Sequence, residues 1–333
     1  MRRWVDYYAG MRQGQLFPTI MQLGDWLDPD APVDQPWVAK TSSHFMANAY
    51  LGYSARLLAK AERLVGEAAM AEKYQAICDS VNAAIWSELA EAAMQTTTGC
   101  SILLEFEIAP QSERAAIADK LAAIVRADNG RISTGFLGTP EILDALSSNG
   151  KWQEAFLMLL REEPLSWLFP LKMGATTIWE RWDAIAADGT ISTGKMEDGD
   201  AADPDDHSMI SFNHYAYGAV LDWIHRNVLG LELSSPGYQT VAIAPKPVTG
   251  IDSCKGWIET GYGTLAIDWQ VAGDSTFMAT LKVPFGVTAS LELPASADSK
   301  ITLNGRPIAN GHLVTQGEYK IQMSAATVIR VRE

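Results

Sequence analysis

Ser234-Ser235-Pro236-Gly237 is where the pattern of this 333-residue chain changes. Serine, proline and glycine in succession end regular helix. Upstream, apolar residues recur with a helical period. Tyr50, Tyr53, Leu57, Leu58, Ala61 and Leu64 share one face of a helix between Thr41-Ser42 and Gly66. A partner from about Ala69 to Leu89 carries Tyr74, Ile77, Val81 and Ile85 on one face. Further helices are predicted near Thr97–Glu107, Ser112–Ala127, Thr139–Leu146, Trp152–Arg161 and Tyr215–Asn227. Short turns join them, so antiparallel helical hairpins are expected. Met1 to Tyr8 reads as the middle of an amphipathic helix that lacks an N-cap.

Downstream, the runs are short and rich in β-branched residues. Thr240–Ala244, Gly263–Gln270, Phe277–Val283, Ala289–Leu293 and Thr327–Val331 are the predicted strands. Asn304-Gly305 is a two-residue hairpin turn between Ile301-Thr302-Leu303 and Arg306-Pro307-Ile308. The fold class is therefore α+β and multidomain, with helical hairpins over residues 1–234 and an antiparallel β-sandwich over 235–333.

Composition narrows the partners. The net charge is −14 and no basic cluster occurs, which argues against nucleic acid and anionic membranes. No apolar run approaches the ~18 residues of a membrane span. Without the apolar core of a signal peptide, the start of the chain leaves a cytoplasmic location as the expectation, with export open if a leader precedes Met1. Cys78, Cys100 and Cys254 are too few and too scattered for a disulfide framework or a zinc site. The loop from Ala187 to Asp206 holds Asp188, Glu197, Asp198, Asp200, Asp203, Asp205 and Asp206. Its spacing matches no EF-hand, so it reads as a solvated acidic loop rather than a calcium site. No cofactor or metal is called for.

Chemistry concentrates in Gly174-Ala-Thr-Thr-Ile-Trp-Glu-Arg-Trp-Asp183. It sets one carboxylate, Glu180, between Trp179 and Trp182. Flanking indoles would desolvate the carboxylate and make it a better proton acceptor. Flat apolar ring faces also suit the C–H faces of a sugar. The plain alternative is a partly buried carboxylate paired with Arg181 or another cation, beside core tryptophans. Asp25 and Trp26, in Gly24-Asp25-Trp26-Leu27-Asp28, offer a hydroxyl acceptor and a stacking ring, or else an anchored surface turn. Thr134-Gly-Phe-Leu-Gly-Thr139 is a tight architectural loop, with Thr139 as helix N-cap and Pro140 in the first helical position. Asn213 and His214, in Ser211-Phe-Asn-His-Tyr-Ala-Tyr-Gly218, are placed at a helix start, where they can present an amide and an imidazole.

In this order, and with Pro164-Leu-Ser-Trp167 and Pro236-Gly237-Tyr238, these blocks resemble the bacterial α-L-rhamnosidases of glycoside hydrolase family 78. The resemblance covers nearly the whole chain. It implies a partial (α/α)6 six-hairpin barrel as catalytic domain, and hydrolysis of terminal α-L-rhamnosides with inversion. It also implies that Glu180 is the general base, that Asp25, Trp26, Trp182 and His214 line the rhamnose pocket with Trp179 and Asn213 beside them, and that the partner is a rhamnose-containing glycoside. Inversion needs two carboxyl groups roughly 6.5–9.5 Å apart. The family's general-acid block, of the form Asp-x-Pro-x-Arg-Glu-x-x-Gly-Trp-x-Gly-Asp, is absent from residues 1–333. The chain is therefore expected to hold most but not all of the barrel, to expose apolar helix faces along one side, and to be weak or inactive alone. Competing expectations are another six-hairpin glycosidase and a non-catalytic sugar-binding remnant.

Overall fold

A computed structural model describes residues 1–32, 35–192, 210–273 and 275–331. The chain forms two compact units, Met1–Ala219 and Val220–Glu333.

The first unit is helical. Its elements are α1 (Arg2–Gly10), α2 (Ser43–Leu64), α3 (Ala68–Glu88), α4 (Ala90–Ala93), α5 (Thr97–Glu105), α6 (Arg114–Ala127), α7 (Thr139–Ser147), α8 (Trp152–Leu159) and α9 (Leu168–Lys172). The long pair α2 and α3 forms the expected hairpin, packed face to face. Val5, Ala55, Leu58, Ala59, Tyr74 and Cys78 make up their shared core with α1. Alanine at 55 and 59 lets the Tyr74 ring sit fully buried between the helices. Helix α5 is buried from Thr97 to Leu104 and touches α6 and α7. Its buried hydroxyls are all paired: Thr97 with Ser133, Thr98 with Asp25 and Ser101 with Thr97 O. Its start is capped by the Thr96 hydroxyl, which accepts the Gly99 N–H at 3.0 Å.

Some apolar side chains of this unit stay exposed. Trp4 and Tyr7 of α1, Leu57 of α2, and Ile20, Met21 and Leu23 of the α1–α2 connection are among them. No described helix is long and apolar enough to cross a membrane.

The second unit opens with α10 (Val220–Trp223), runs through a π-helical turn (Ile224–Leu229), and then forms strands. The helix expected from Tyr215 to Asn227 thus changes its hydrogen-bond pattern along its length: Ala216–Ala219 is a 3₁₀ turn. Strands β1 (Leu231–Leu233), β2 (Thr240–Ile243), β6 (Thr288–Leu291) and β9 (His312–Val314) form one sheet in the order β1-β2-β6-β9. Strands β3 (Ser253–Thr260), β4 (Gly263–Val271), β5 (Phe277–Val283), β7 (Ile301–Leu303), β8 (Arg306–Ile308) and β10 (Gly317–Met323) form the other, in the order β3-β4-β5-β10-β7-β8.

Four expectations change here. The Ser235-Pro236-Gly237 break is a turn inside a sheet, because β1 before it pairs with β2 after it; the compact units divide earlier, at Ala219. The sandwich is not wholly antiparallel, since β2 and β6 run parallel. Thr327–Val331 forms only an isolated bridge, at Ile329. Conversely, β3 and β10 are strands that the apolar pattern did not announce. The Asn304-Gly305 hairpin is as expected, with Leu303 paired to Arg306 and positive φ at both turn residues (50° and 78°).

All three cysteines are free. Burial pushes the Cys78 thiol up to about 11 and the Cys100 thiol up to about 12, so neither is a nucleophile at neutral pH. Of the acidic loop, Glu197, Asp198, Asp200, Asp203, Asp205 and Asp206 lie outside the described residues. Asp188 turns its carboxylate back on the Thr190 N–H at 2.9 Å. Among the described residues no cluster of three metal-ligating side chains occurs.

Candidate active site

The motif blocks, far apart in sequence, meet at one place in the helical unit. Its organiser is Asp25, which is completely buried. One carboxylate oxygen accepts the Thr98 hydroxyl at 2.5 Å and the Gly135 N–H at 2.9 Å. The other accepts the N–H groups of Leu137 and Gly138, both at 2.9 Å. Asp25 thus replaces a conventional N-cap for α7. Gly138 occupies the cap position, and Thr139, expected there, instead donates its hydroxyl to Gly135 O at 2.7 Å. Burial pushes the Asp25 carboxyl above the ordinary range, while the Thr98, Gly135 and Gly138 donors pull it back. With both oxygens doubly occupied, this carboxylate has no face left for a sugar hydroxyl. The expected sugar contact is a framework group.

The two loops that Asp25 joins press together. The Phe136 N–H donates to Trp26 O at 2.9 Å. A Cβ at Gly135 would collide with the carbonyl oxygens of Asp25 and Trp26, which is why only glycine fits there. The Trp182 indole N–H donates to Thr134 O at 3.0 Å. Its ring stacks on Tyr217 at 4.0 Å and meets Trp167 edge-on at 5.7 Å. Tyr217 donates its hydroxyl to Leu27 O at 3.1 Å, and Trp167 donates its N–H to Tyr217 O at 3.0 Å. Burial, followed by the Asp25 and Asp183 carboxylates, raises the Tyr217 hydroxyl well above its ordinary value, so it stays a neutral donor.

Glu180 lies in an irregular segment beside this hub and is half-buried. Its Oε2 accepts the Ser211 N–H at 2.8 Å, and its own N–H donates to Ser211 O at 2.8 Å. His214 N–H donates to Ile178 O at 2.8 Å, so residues 178–180 and 211–214 are tied through their backbones. The Arg181 pairing weighed for Glu180 does not form: Arg181 grips Asp183, at 2.9 and 3.1 Å. The expected pair of free indoles is also revised. Trp179 and Trp182 are both 5 % exposed; Trp179 packs edge-on to Phe212 at 5.4 Å, and Trp182 is held in the hub. They hold the Glu180 segment in place from inside.

The rings that remain accessible are others. Trp26 is half-buried and stacks on Trp37 at 6.3 Å. The half-buried His214 ring lies flat against Phe136 at 5.0 Å and Tyr215 at 5.6 Å. Its Nδ1 accepts the Ala216 N–H at 3.4 Å. Asn213 is exposed and precedes the 3₁₀ turn rather than starting a helix. Thr98, Trp37 and Phe136 were not singled out as site-forming residues. Only Phe136 left a signal, a ring between two glycines that bring it close to other backbone.

A carboxylate with one oxygen fixed and, among the described residues, the other without a hydrogen bond is suited to accept a proton from water. Comparison with known proteins places the chain in a family. Residues 1–228 match the bacterial alpha-L-rhamnosidase 6 hairpin glycosidase domain, and residues 230–306 match the bacterial alpha-L-rhamnosidase C-terminal domain. An alpha-L-rhamnosidase of Streptomyces avermitilis is 30 % identical over 300 residues, covering 90 % of this chain and 27 % of that protein. The crystal structure of a Streptomyces avermitilis alpha-L-rhamnosidase complexed with L-rhamnose superposes with a TM-score of 0.81 at 28 % identity, over 96 % of this chain and 30 % of that one. The Aspergillus terreus enzyme gives 0.82 at 27 % identity, over 95 % and 34 %. The chain spans about a third of the length of these relatives. With two-thirds of its own residues matched by the six-hairpin domain and the adjoining segment by the C-terminal domain, the chain belongs to the bacterial α-L-rhamnosidase family.

Proposed function

We propose that this chain carries the water-activating half of an inverting α-L-rhamnosidase, with Glu180 as general base. The observation that carries the reading is the state of its carboxylate. One oxygen is anchored by the Ser211 N–H, and the group sits half-buried where the motif blocks converge. In the proposed step, Glu180 takes a proton from water as that water attacks the anomeric carbon from the face opposite the leaving group. The C–O bond to the aglycone breaks, and the departing oxygen needs a proton from a second carboxylic acid. The block expected to supply that acid is absent from residues 1–333, so this chain supplies one of the two groups. Trp26 and His214, the partly exposed rings, are the proposed sugar contacts, with Asn213 at the rim; Trp179, Trp182 and Asp25 support them. The substrate is a terminal α-L-rhamnoside.

The test uses 2,4-dinitrophenyl α-L-rhamnoside, whose leaving group departs without a proton. The purified chain should release dinitrophenolate, and Glu180→Gln should slow this by about 10²–10⁴-fold, with azide restoring the rate by replacing the activated water. Equal rates for the two proteins would remove Glu180 from the role. L-Rhamnose binding by calorimetry with no turnover of this substrate would favour a sugar-binding remnant instead.

A further inference from the structure

The six-stranded sheet buries one face and exposes the other. Leu265, Ile267, Trp269, Phe277, Leu281, Ile321 and Met323 point into the core, so the alternate residues of β3, β4, β5 and β10 form the outer surface. The register sets these residues in cross-strand rows. In one row Trp257 lies opposite Ala266, Ala266 opposite Lys282, and Lys282 opposite Glu318. In the next, Lys255 lies opposite Asp268 and forms an ion pair with it at 3.3 Å.

Trp257 is 62 % exposed, and the residues that follow it along its row, Ala266, Lys282 and Glu318, are small or charged. The large indole next to Ala266 makes a step, and the surface there encloses a shallow depression of about 450 Å³. One wall is a flat apolar ring. The rest offers ammonium donors, carboxylate acceptors and the Thr264 hydroxyl, which donates to Glu259 at 2.9 Å. This combination, one ring face among fixed hydrogen-bonding groups, matches a pyranose, which presents a C–H face and a rim of hydroxyls.

The alternatives fit less well. The depression is lined by two cations, Lys255 and Lys282, against three carboxylates, Glu259, Asp268 and Glu318. It therefore has no positive balance to attract a polyanion. A protein partner would need an apolar patch depleted of charge at its centre, whereas here a single ring is surrounded by charges.

We infer that the outer face of the six-stranded sheet binds a neutral glycan, with Trp257 stacking on a sugar ring and Lys282 and Glu318 bonding its hydroxyls. The site lies wholly within the second unit and does not depend on the role of Glu180.

The purified chain would be run through native gels containing a soluble rhamnan, a galactomannan or a mixed-linkage β-glucan, with polygalacturonate as the acidic comparison. At least one neutral polymer should retard it. Trp257→Ala should weaken that retardation on the order of tenfold, as loss of an aromatic anchor does, and Ala266→Arg, which fills the step, should do likewise. Glu180→Gln should leave it unchanged. Both face substitutions are at accessible positions, and the circular dichroism and melting temperature of each should match the parent. The proposal is overturned if no neutral polymer retards the parent, if polygalacturonate alone does, if Trp257→Ala migrates like the parent in every gel, or if Trp257→Ala instead converts a dimer to a monomer in sedimentation.

Discussion

The Gly24–Asp28 turn and the Trp179–Asp183 segment each bring one carboxylate to the same hub, and the two carboxylates are treated in opposite ways. Asp25 is fully buried and accepts four hydrogen bonds. Glu180 is half-buried and accepts one from the backbone of Ser211. A carboxylate with every lone-pair direction filled is a strut, because moving a proton onto it would displace a donor. One with an open oxygen retains capacity for chemistry. Proximity to a site does not distinguish these cases; burial and the number of donors do.

The largest expected effect tests the strut. Asp25→Ala strands the Thr98 hydroxyl and three N–H groups and should destabilise the protein by about 3–5 kcal/mol in urea unfolding, whereas Glu180→Gln should change stability by less than about 1 kcal/mol. Similar losses for both would erase the contrast.

A third kind of carboxyl sharpens it. Burial, and then the neighbouring Asp144, raises Glu141 to about 7; burial with Asp144 and Glu141 raises Glu105 to about 7. Burial there is not offset by donors. Since the folded protein holds these protons more tightly than the unfolded chain, the stabilisation is full below the unfolded carboxyl values near 4.5 and is lost as pH rises toward 7. Glu141→Gln should flatten that decline by roughly 1–2 kcal/mol between pH 4.5 and 7.5, allowing for residual solvent contact. An unaltered pH profile from urea titrations would show that donors are not what separates Asp25 from these two.

The smallest effect concerns the link between the regions. Phe136 rises from the loop that Asp25 holds and lies flat against His214. Phe136→Leu should cost about 0.5–1.5 kcal/mol beyond the lost buried area and should broaden the His214 ring signals in NMR. An unchanged His214 spectrum would mean that the imidazole is positioned by its backbone alone.

Periodicity made the helices of the hairpins legible but not the buried face of α2: that face is Leu51, Ala55, Leu58 and Ala59, whereas Leu57 and Leu64 of the predicted stripe are exposed. The Asn304-Gly305 turn was legible because few residue pairs tolerate two positive φ angles. Strand β10 was not: Gly317-Glu-Tyr-Lys-Ile-Gln-Met323 buries only Ile321 and Met323, and its pairing to β5 and β7 is long-range. The blocks meet at one hub, but the bonds that occupy Asp25 were not legible, since its donors come from Thr98 and residues 135–138, and no local pattern announces them. The same limit applied to Trp179 and Trp182, whose partners Phe212 and Tyr217 lie some thirty residues on.

The bond that fixes Glu180 comes from a peptide N–H. Every amino acid except proline supplies that group. Position 211 can therefore drift through polar, apolar or charged residues without releasing the carboxylate, and a saturation library there should have a single forbidden member on this account. The bond to Glu180 is insulated from sequence change at its own anchor; what a change there would lose is the Asn213 N–H that the Ser211 hydroxyl accepts at 3.2 Å.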